Sequence, residues 1–174
     1  MRNRPVRCSV LAIAAAMIIV SSAFPAAAAQ PATPIGSEMI YQDPEGRFTI
    51  PIPTGWTAEP RDGFVVLRDP EGDLTVIAIV VPGADAASGI AAAWAVVEPG
   101  FDAAPPAGGV QSVPSSPGVD ETVVITYDVG QTSGRVRQAV GQRVGNQVYV
   151  LIFEGSLQAA VRRAAQINVI ASGF

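Results

Sequence analysis

Hydrophobic and polar residues alternate along several short stretches of this chain, which is the pattern of strands with one buried face. In Phe48–Ile52, aromatic and aliphatic residues alternate with Thr49 and Pro51. Because proline cannot donate a backbone hydrogen bond, we expect this strand at an edge or paired on one side only. Phe64–Arg68 follows an Arg-Asp-Gly hairpin turn, and Leu74–Val81 is an almost unbroken apolar run. Such a run predicts a central strand covered on both faces.

The second half of the chain contains three further strand patterns. They are Glu121–Val129, Gly134–Val144 and Gln147–Glu154, with turn sequences at Gly130–Ser133 and Gly145–Asn146. Strands joined by such short turns pair in antiparallel fashion. Together with helices packed on the sheet, they predict an α+β fold: an antiparallel sheet of about six to seven strands flanked by two helices.

The first predicted helix runs from Asp85, a residue suited to cap it, to about Val97. Ile90, Trp94 and Val97 fall on one helical face. Gly89 weakens the helical propensity of this segment.

The second predicted helix follows Ser156, which is placed to cap it. Arg162, Arg163 and Gln166 are expected to face water. The expected apolar face consists of Leu157, Ala160, Val161, Ala164, Ile167 and Ala171.

The N-terminus has the three parts of a secretory signal peptide. Arginines at positions 2, 4 and 7 precede an apolar segment at 10–20, and small residues end at Ala29. We therefore assign 1–29 as a signal peptide cleaved after Ala29, which predicts a periplasmic or secreted protein with no stable membrane anchor. Residues 30–39 are expected to be a flexible lead-in, and 40–174 a single domain. Within that domain, residues 98–118 are rich in Pro, Gly and Ser and predict a long loop, functional or mobile.

The composition excludes much catalytic chemistry. The chain contains no His and no Lys, and its one cysteine, Cys8, lies in the leader. Nucleophiles activated by His or Lys, Schiff bases and thiolate metal sites are therefore excluded, and we assign no catalytic residue, no cofactor and no metal site. The leader removes three arginines and no acid, so the net charge of −4 becomes −7, which disfavours nucleic acid as a partner.

Two Asp-Pro-Glu-Gly sequences, beginning at Asp43 and Asp69, hold the densest carboxylates. They resemble a calcium loop only loosely, since Gly72 comes too early and no bidentate glutamate follows Asp73. Asp, Pro and Gly at the first, second and fourth positions favour a type I turn. We interpret both as turns that each lead into a strand.

Four residues are candidates for binding a partner or an anion. Arg135, Arg137 and Arg143 share one face of a predicted strand and could bind carboxylate or phosphate groups. The simpler interpretation is a solvated face opposite a core face of Val136, Val140 and Val144. Phe101, in the long loop, either docks on a partner or tucks under the loop. Trp56 and Trp94 are expected in the core.

The stretch FTIPIPTGW, with the strands and helix that follow, resembles the Mog1/PsbP-like fold. That resemblance implies an antiparallel sheet flanked by helices and a binding or accessory role. A second resemblance covers YQDPEGRFTIPIPTGW, GFVVLRDPEG, VVITYD, NQVYVLIFEG and QINVIASGF. These are similar to the N-terminal domain of exported proteobacterial serine hydrolases, where such a domain precedes a β-lactamase-type catalytic domain. The Ser-x-x-Lys motif of that family has no match here, so no catalytic residue carries over.

We therefore expect a non-catalytic exported accessory or binding domain. Its expected partner is a periplasmic protein such as a serine hydrolase domain. Two alternatives remain at this stage. The chain could be a detached or truncated N-terminal domain of a β-lactamase-like serine hydrolase. It could also be a small-ligand carrier, which would need an apolar pocket under the 98–118 loop.

Overall fold

The computed structural model describes residues 39–102, 109–130 and 133–174, which form nine strands and three helices within one compact unit. The strands are β1 (Met39–Gln42), β2 (Thr49–Ile52), β3 (Thr57–Arg61), β4 (Phe64–Arg68), β5 (Leu74–Pro82), β6 (Val110–Val113), β7 (Glu121–Thr126), β8 (Arg135–Val144) and β9 (Gln147–Ser156). The helices are α1 (Ala86–Val97), α2 (Leu157–Arg162) and α3 (Ala164–Ser172).

Seven strands form one antiparallel sheet in the order β3-β4-β5-β9-β8-β7-β6. The remaining two, β1 and β2, form a separate hairpin. This confirms the predicted α+β class and the size of the sheet. It also agrees with the expectation that the proline-containing strand pairs on one side only, since β2 pairs with β1 alone in the described chain.

The central strand β5 carries the core on both of its faces. Ile77 and Ile79 point to the side covered by α1, whereas Val76 and Ala78 point to the side covered by the β1–β2 hairpin and the C-terminal helices. All four are buried. The apolar run therefore predicted its central position correctly, because a strand between two covered faces has no side left for polar residues.

Helix α1 lies very close to the sheet. Asp85 caps it through the backbone N–H of Ser88, and Ser88 completes a capping box. A β-carbon added at Gly89 would lie 2.5 Å from the β-carbon of Val148, so only glycine allows this approach. On the strand side, a β-carbon at Gly141 would lie 2.9 Å from Ile90. The glycine that weakened the helix prediction is thus a packing requirement.

The opposite layer is built around the β1–β2 hairpin and α3. Ile50 and Ile170 are fully buried in it, and Trp56 packs among them with its indole Nε1 donating to Gln166 at 3.3 Å. Phe48 meets Phe174 edge to face, with 5.1 Å between the ring centroids. Trp56 and Trp94 are both buried, as expected for core residues.

Both Asp-Pro-Glu-Gly sequences are turns, as predicted. In each, the glycine N–H donates to the aspartate carbonyl (2.9 Å from Gly46 to Asp43, 3.0 Å from Gly72 to Asp69), and the glycine has positive φ. Both aspartates are buried, yet different cations face them. Arg47 binds Asp43 locally with two contacts of 2.8 Å. The turn at Asp69 is instead faced by an arginine far along the chain.

That arginine is Arg163, which lies at a break in the C-terminal helix. The second predicted helix is interrupted at Arg163, whose side chain reaches Glu71 and lies 3.7 Å from Asp69. The face inferred for one continuous helix is therefore only partly correct: Ala160, Ile167 and Ala171 pack against the core as predicted, whereas Ala164 is exposed. Leu157 and Val161 are 53% and 69% exposed, whereas Ala159 and Ile170 are buried.

Gln166 and Arg163, which were expected to face water, instead make contacts within the domain. Gln166 accepts hydrogen bonds from Trp56 and from Arg163 at 3.3 Å each. The Ser156 cap is confirmed, since its hydroxyl accepts from the N–H of Ala159 at 3.0 Å.

The prediction of an unbroken loop at 98–118 was also incomplete. Its second half contains β6, which is paired with β7, while residues 103–108 lie outside the described chain. A four-residue strand between prolines and glycines leaves too little periodicity to detect. The assigned signal peptide and residues 30–38 also lie outside the described residues, and Met39 belongs to β1.

Gly89→Ala should destabilise the protein although alanine is the better helix former. Overpacking against Val148 should outweigh the gain of about 1 kcal/mol in helix propensity, lowering the free energy of unfolding by about 1 kcal/mol or more. Urea denaturation measures this change. As a control, Ala91→Gly on the exposed side of α1 should cost about 1 kcal/mol. Stabilisation by Gly89→Ala would contradict the close contact.

Asp43 should make folding stability depend on acid pH. Hydrogen bonds from Arg47 hold the pKa of Asp43 below its ordinary value. The carboxylate therefore contributes stability above its unfolded-state pKa, and this contribution is lost as the pH falls through the folded-state pKa. Asp43→Asn should weaken the loss of stability between about pH 5 and pH 2. Asp62→Asn, in an exposed turn, is the matched control; equal pH profiles for both variants would contradict the assignment.

Candidate functional site

The three candidate arginines lie on the face of β8 that α1 covers. Between them on the same face stand Ala139 and Gly141, both buried beneath the helix. The interpretation of this face as solvated is therefore wrong at its middle, and only the two ends of the strand extend beyond α1. The small residues at positions 139 and 141 were the sequence signal, because a closely packed helix leaves room for nothing larger.

Arg137 and Phe101 come together at the C-terminal end of α1. Phe101 stacks on Trp94 with 3.9 Å between ring centroids, so it tucks inward from the loop. The guanidinium of Arg137 lies 5.1 Å from the centroid of Phe101 and 5.5 Å from that of Trp94. It also contacts Glu154 on the neighbouring strand and lies 3.9 Å from Glu98. Arg137 therefore packs at the edge of the aromatic cluster. Its guanidinium is engaged in cation–π contacts and ion pairs within the domain.

Tyr127, which directly follows β7, is the third aromatic residue of this cluster and packs against Trp94 and Phe101. Its hydroxyl accepts a buried hydrogen bond from the indole nitrogen of Trp94 at 2.9 Å. Burial raises the pKa of Tyr127, so the hydroxyl stays protonated at neutral pH. The arrangement anchors α1 to the sheet through a polar contact inside an apolar cluster.

The other two arginines have separate positions. Arg143 lies 3.1 Å from Asp120 and 3.7 Å from Glu121, and donates to the carbonyl of Gly145 at 2.9 Å. It ties the end of β8 to the chain before β7. Arg135 is exposed, and of the arginines in the described ranges it alone has no carboxylate within ion-pair distance. The structure thus brings Arg137 and Phe101 together and leaves Arg135 and Arg143 apart.

The surface that the sequence analysis missed is the other face of β6, β7 and β8. Helices α2 and α3 cover β9, the start of β8 and the hairpin, and among the described residues no helix covers the remainder. We call this surface the open face. It consists of nine half-buried or exposed residues, Gln111, Val113, Val124, Thr126, Val136, Gln138, Val140, Gln142 and Val144. Of these, Val140 lies at the border of the open face, where it also packs against the core of the C-terminal layer.

The open face carries no charged side chain. Valine methyl groups alternate with glutamine amides and threonine hydroxyls, and Gln138 donates to Thr126 at 3.1 Å. Such a surface offers apolar area together with neutral hydrogen-bond donors and acceptors. The sequence signal was present in β8, where Gln138 and Gln142 share a face with Val136 and Val140. A fully buried face would not carry two glutamines.

Three further features of the described residues bear on metal binding, membrane insertion and ligand binding. No group of three or more His, Cys, Asp or Glu side chains is arranged to hold a metal there. No described helix is long and apolar enough to span a bilayer. A shallow cavity of about 660 Å³ lies beside α2, lined by Leu157, Val161 and Arg162 among others. It is distant in sequence from the 98–118 loop, where a carrier pocket was expected.

Comparison with known proteins identifies the fold. No protein-family model matches the chain, and no curated protein matches it. Among solved structures, the chain is similar to cyanobacterial PsbP (CyanoP) from Synechocystis sp. PCC 6803, with a TM-score of 0.52 and 15% sequence identity. The match covers 84% of this chain and 96% of that one. The domain therefore has a PsbP-like α+β fold, which confirms the first of the two resemblances; at this identity the similarity concerns the fold alone.

Tyr127→Phe should lower the free energy of unfolding by about 1–3 kcal/mol, because it leaves the buried Trp94 N–H without its acceptor. Urea denaturation followed by tryptophan fluorescence measures the loss. Tyr149→Phe, which removes a hydroxyl from a half-buried ring, should cost less than about 0.5 kcal/mol. An equal loss in the free energy of unfolding for the two variants would show that the Trp94–Tyr127 hydrogen bond does not contribute specially to stability.

Proposed function

We propose that this chain is an exported, non-catalytic binding domain that docks a protein partner on its open face. The observation that carries the proposal is that the open face is broad and uncharged although the protein is acidic. Flat, neutral surfaces of mixed apolar and amide character suit contact with another protein. A small-molecule site fits the open face less well because such sites are usually concave. A nucleic-acid site fits it less well because nucleic acids need a cationic surface.

The arginines support this proposal because most of them already form ion pairs within the domain. Arg137 and Arg143 hold α1 and the β7–β9 region together, and Arg163 holds the Asp69 turn. Binding through the open face would leave these contacts undisturbed. An anion site on the arginine face would have to compete with the carboxylates that already bind two of its three members.

The proposed partner is a serine hydrolase domain of the β-lactamase type. The support is the sequence resemblance to the N-terminal domains of exported hydrolases, whose opening segment forms the β1–β2 hairpin here. The leader pattern at 1–29 supports export, with cleavage after Ala29 and a periplasmic location. If the chain is the N-terminal piece of a longer hydrolase, the same face would serve the same contact within one protein.

Site-specific photo-cross-linking tests the proposal. The full chain, leader included, is expressed together with a β-lactamase-type hydrolase domain from the same genome, with a photoreactive residue at Thr126 on the open face. We expect a periplasmic cross-link to the hydrolase domain. The matched control carries the photoreactive residue at Ala91, on the exposed side of α1, and should give no such product.

Three outcomes would contradict the proposal. Equal cross-linking from positions 126 and 91 would show that the open face has no special role. Retention of the chain in the cytoplasm would contradict export. Turnover of nitrocefin or p-nitrophenyl acetate by the purified chain alone would contradict a non-catalytic function.

A further inference from the structure

The two outer strands of the seven-stranded sheet differ in how their free edges are protected. At one end, β3 carries Glu59, Pro60 and Arg61, and charges and proline are the usual protection against pairing with another chain. At the other end, β6 reads Val-Gln-Ser-Val, with no charge and no proline, and Val110 is 49% exposed. Among residues 39–102, 109–130 and 133–174, no strand pairs with this outer edge of β6, so within the described chain the edge is open to a further strand.

The hydrogen-bond pattern shows which backbone groups of β6 are free. The N–H of Thr126 donates to the carbonyl of Gly109 at 2.7 Å, in the same register that places Val110 opposite Ile125. In antiparallel pairs, hydrogen-bonded and non-hydrogen-bonded positions alternate. Residues 111 and 113 therefore direct their backbone groups toward β7. Val110 and Ser112 direct theirs outward, away from the sheet.

We propose that β6 pairs with β6 of a second copy of this chain, antiparallel, about a two-fold axis that passes beside Gln111. Independently of the proposed function, this pairing would join two seven-stranded sheets into one. In this register Val110 lies opposite Ser112 of the second copy, and Ser112 opposite its Val110. Each outward N–H and C=O of one edge then meets a partner on the other, which gives four backbone hydrogen bonds.

The register follows from the strand itself. An axis perpendicular to the sheet keeps the open faces of both copies on one side, so opposed residues must share a face. Centring the pair on Ser112 would place Val110 opposite Pro114, which follows the end of β6 and cannot donate a hydrogen bond. Centring on Gln111 uses all four outward N–H and C=O groups of each edge.

The charge distribution fits a second copy. Two copies of an acidic chain repel each other. A contact between them avoids local repulsion only where the opposed residues do not carry like charges. Within β6 no side chain is charged, so the contact sets Gln111 against Gln111. The remaining repulsion is long-range and screened by salt, so association should strengthen as ionic strength rises.

Sedimentation velocity of the chain from Gln30 to Phe174 tests the inference. Four hydrogen bonds over a short edge predict a weak dimer, so concentrations from about 10 µM to about 1 mM are needed. Gln111→Glu and Gln111→Lys should each raise the dimer dissociation constant about threefold or more, because like charges then lie directly opposite one another. An equimolar mixture of the two variants should dimerise at least as well as the unaltered chain.

Ser112→Pro supplies a second test, since it removes an outward N–H that β7 does not use. It should raise the dissociation constant about tenfold while circular dichroism and thermal unfolding stay close to those of the unaltered chain. Gln158→Glu and Gln158→Lys, on exposed α2, are matched controls and should change nothing.

Each of the following results would overturn the inference. The unaltered chain could remain monomeric over the whole concentration range in both low and high salt. A dimer could form whose affinity is unaffected by the Gln111 and Ser112 substitutions. The mixture of Gln111→Glu and Gln111→Lys could dimerise no better than either variant alone, or β6 could pair only with a strand of a different protein.

Discussion

The close contact between α1 and the sheet is the constraint on which the rest of the structure depends. Glycine at positions 89 and 141 leaves out the two side chains that would hold the helix away from β8 and β9, since a β-carbon at Gly89 would meet Val148 and one at Gly141 would meet Ile90. At this distance α1 covers one face of β8 completely at its middle. It thereby buries one side of the β6–β8 half of the sheet, while the other side of that half stays accessible among the described residues.

Electrostatic contacts follow from that layering. Arg137 closes the end of α1 against aromatic rings and Glu154, and Arg143 joins the chain before β7 to the end of β8. On the other layer, Arg47 and Arg163 each face the buried aspartate of one Asp-Pro-Glu-Gly turn. The chain uses arginine as its only cation, and most of these side chains hold layers and turns together. They are therefore poor candidates for a binding site, which shifts attention to the uncharged surface.

The open face and the free edge of β6 are parts of one region. Gln111 belongs to the open face and also stands at the centre of the proposed strand pairing. A dimer formed through this edge would place two open faces side by side and double the neutral surface offered to a partner. The helices leave half of one sheet face uncovered in the part of the chain that the structure describes, which is consistent with this arrangement.

Local signals in the sequence determined six of the strands, the caps at Asp85 and Ser156, the two turns and the central place of β5, because each depends on residues close together in the chain. The six strands are β2, β4, β5, β7, β8 and β9. Even the small residues Ala139 and Gly141 carried information about the helix above them. Which face of β8 that helix would cover, however, was decided only by tertiary packing: alternation marks two faces but does not say which one is covered. The same holds for Arg163, whose break in the C-terminal helix is accompanied by contacts to a turn more than ninety residues earlier, at Glu71. Sequence periodicity reports only the pattern within one helix, whereas the position of that break is seen only in the tertiary structure.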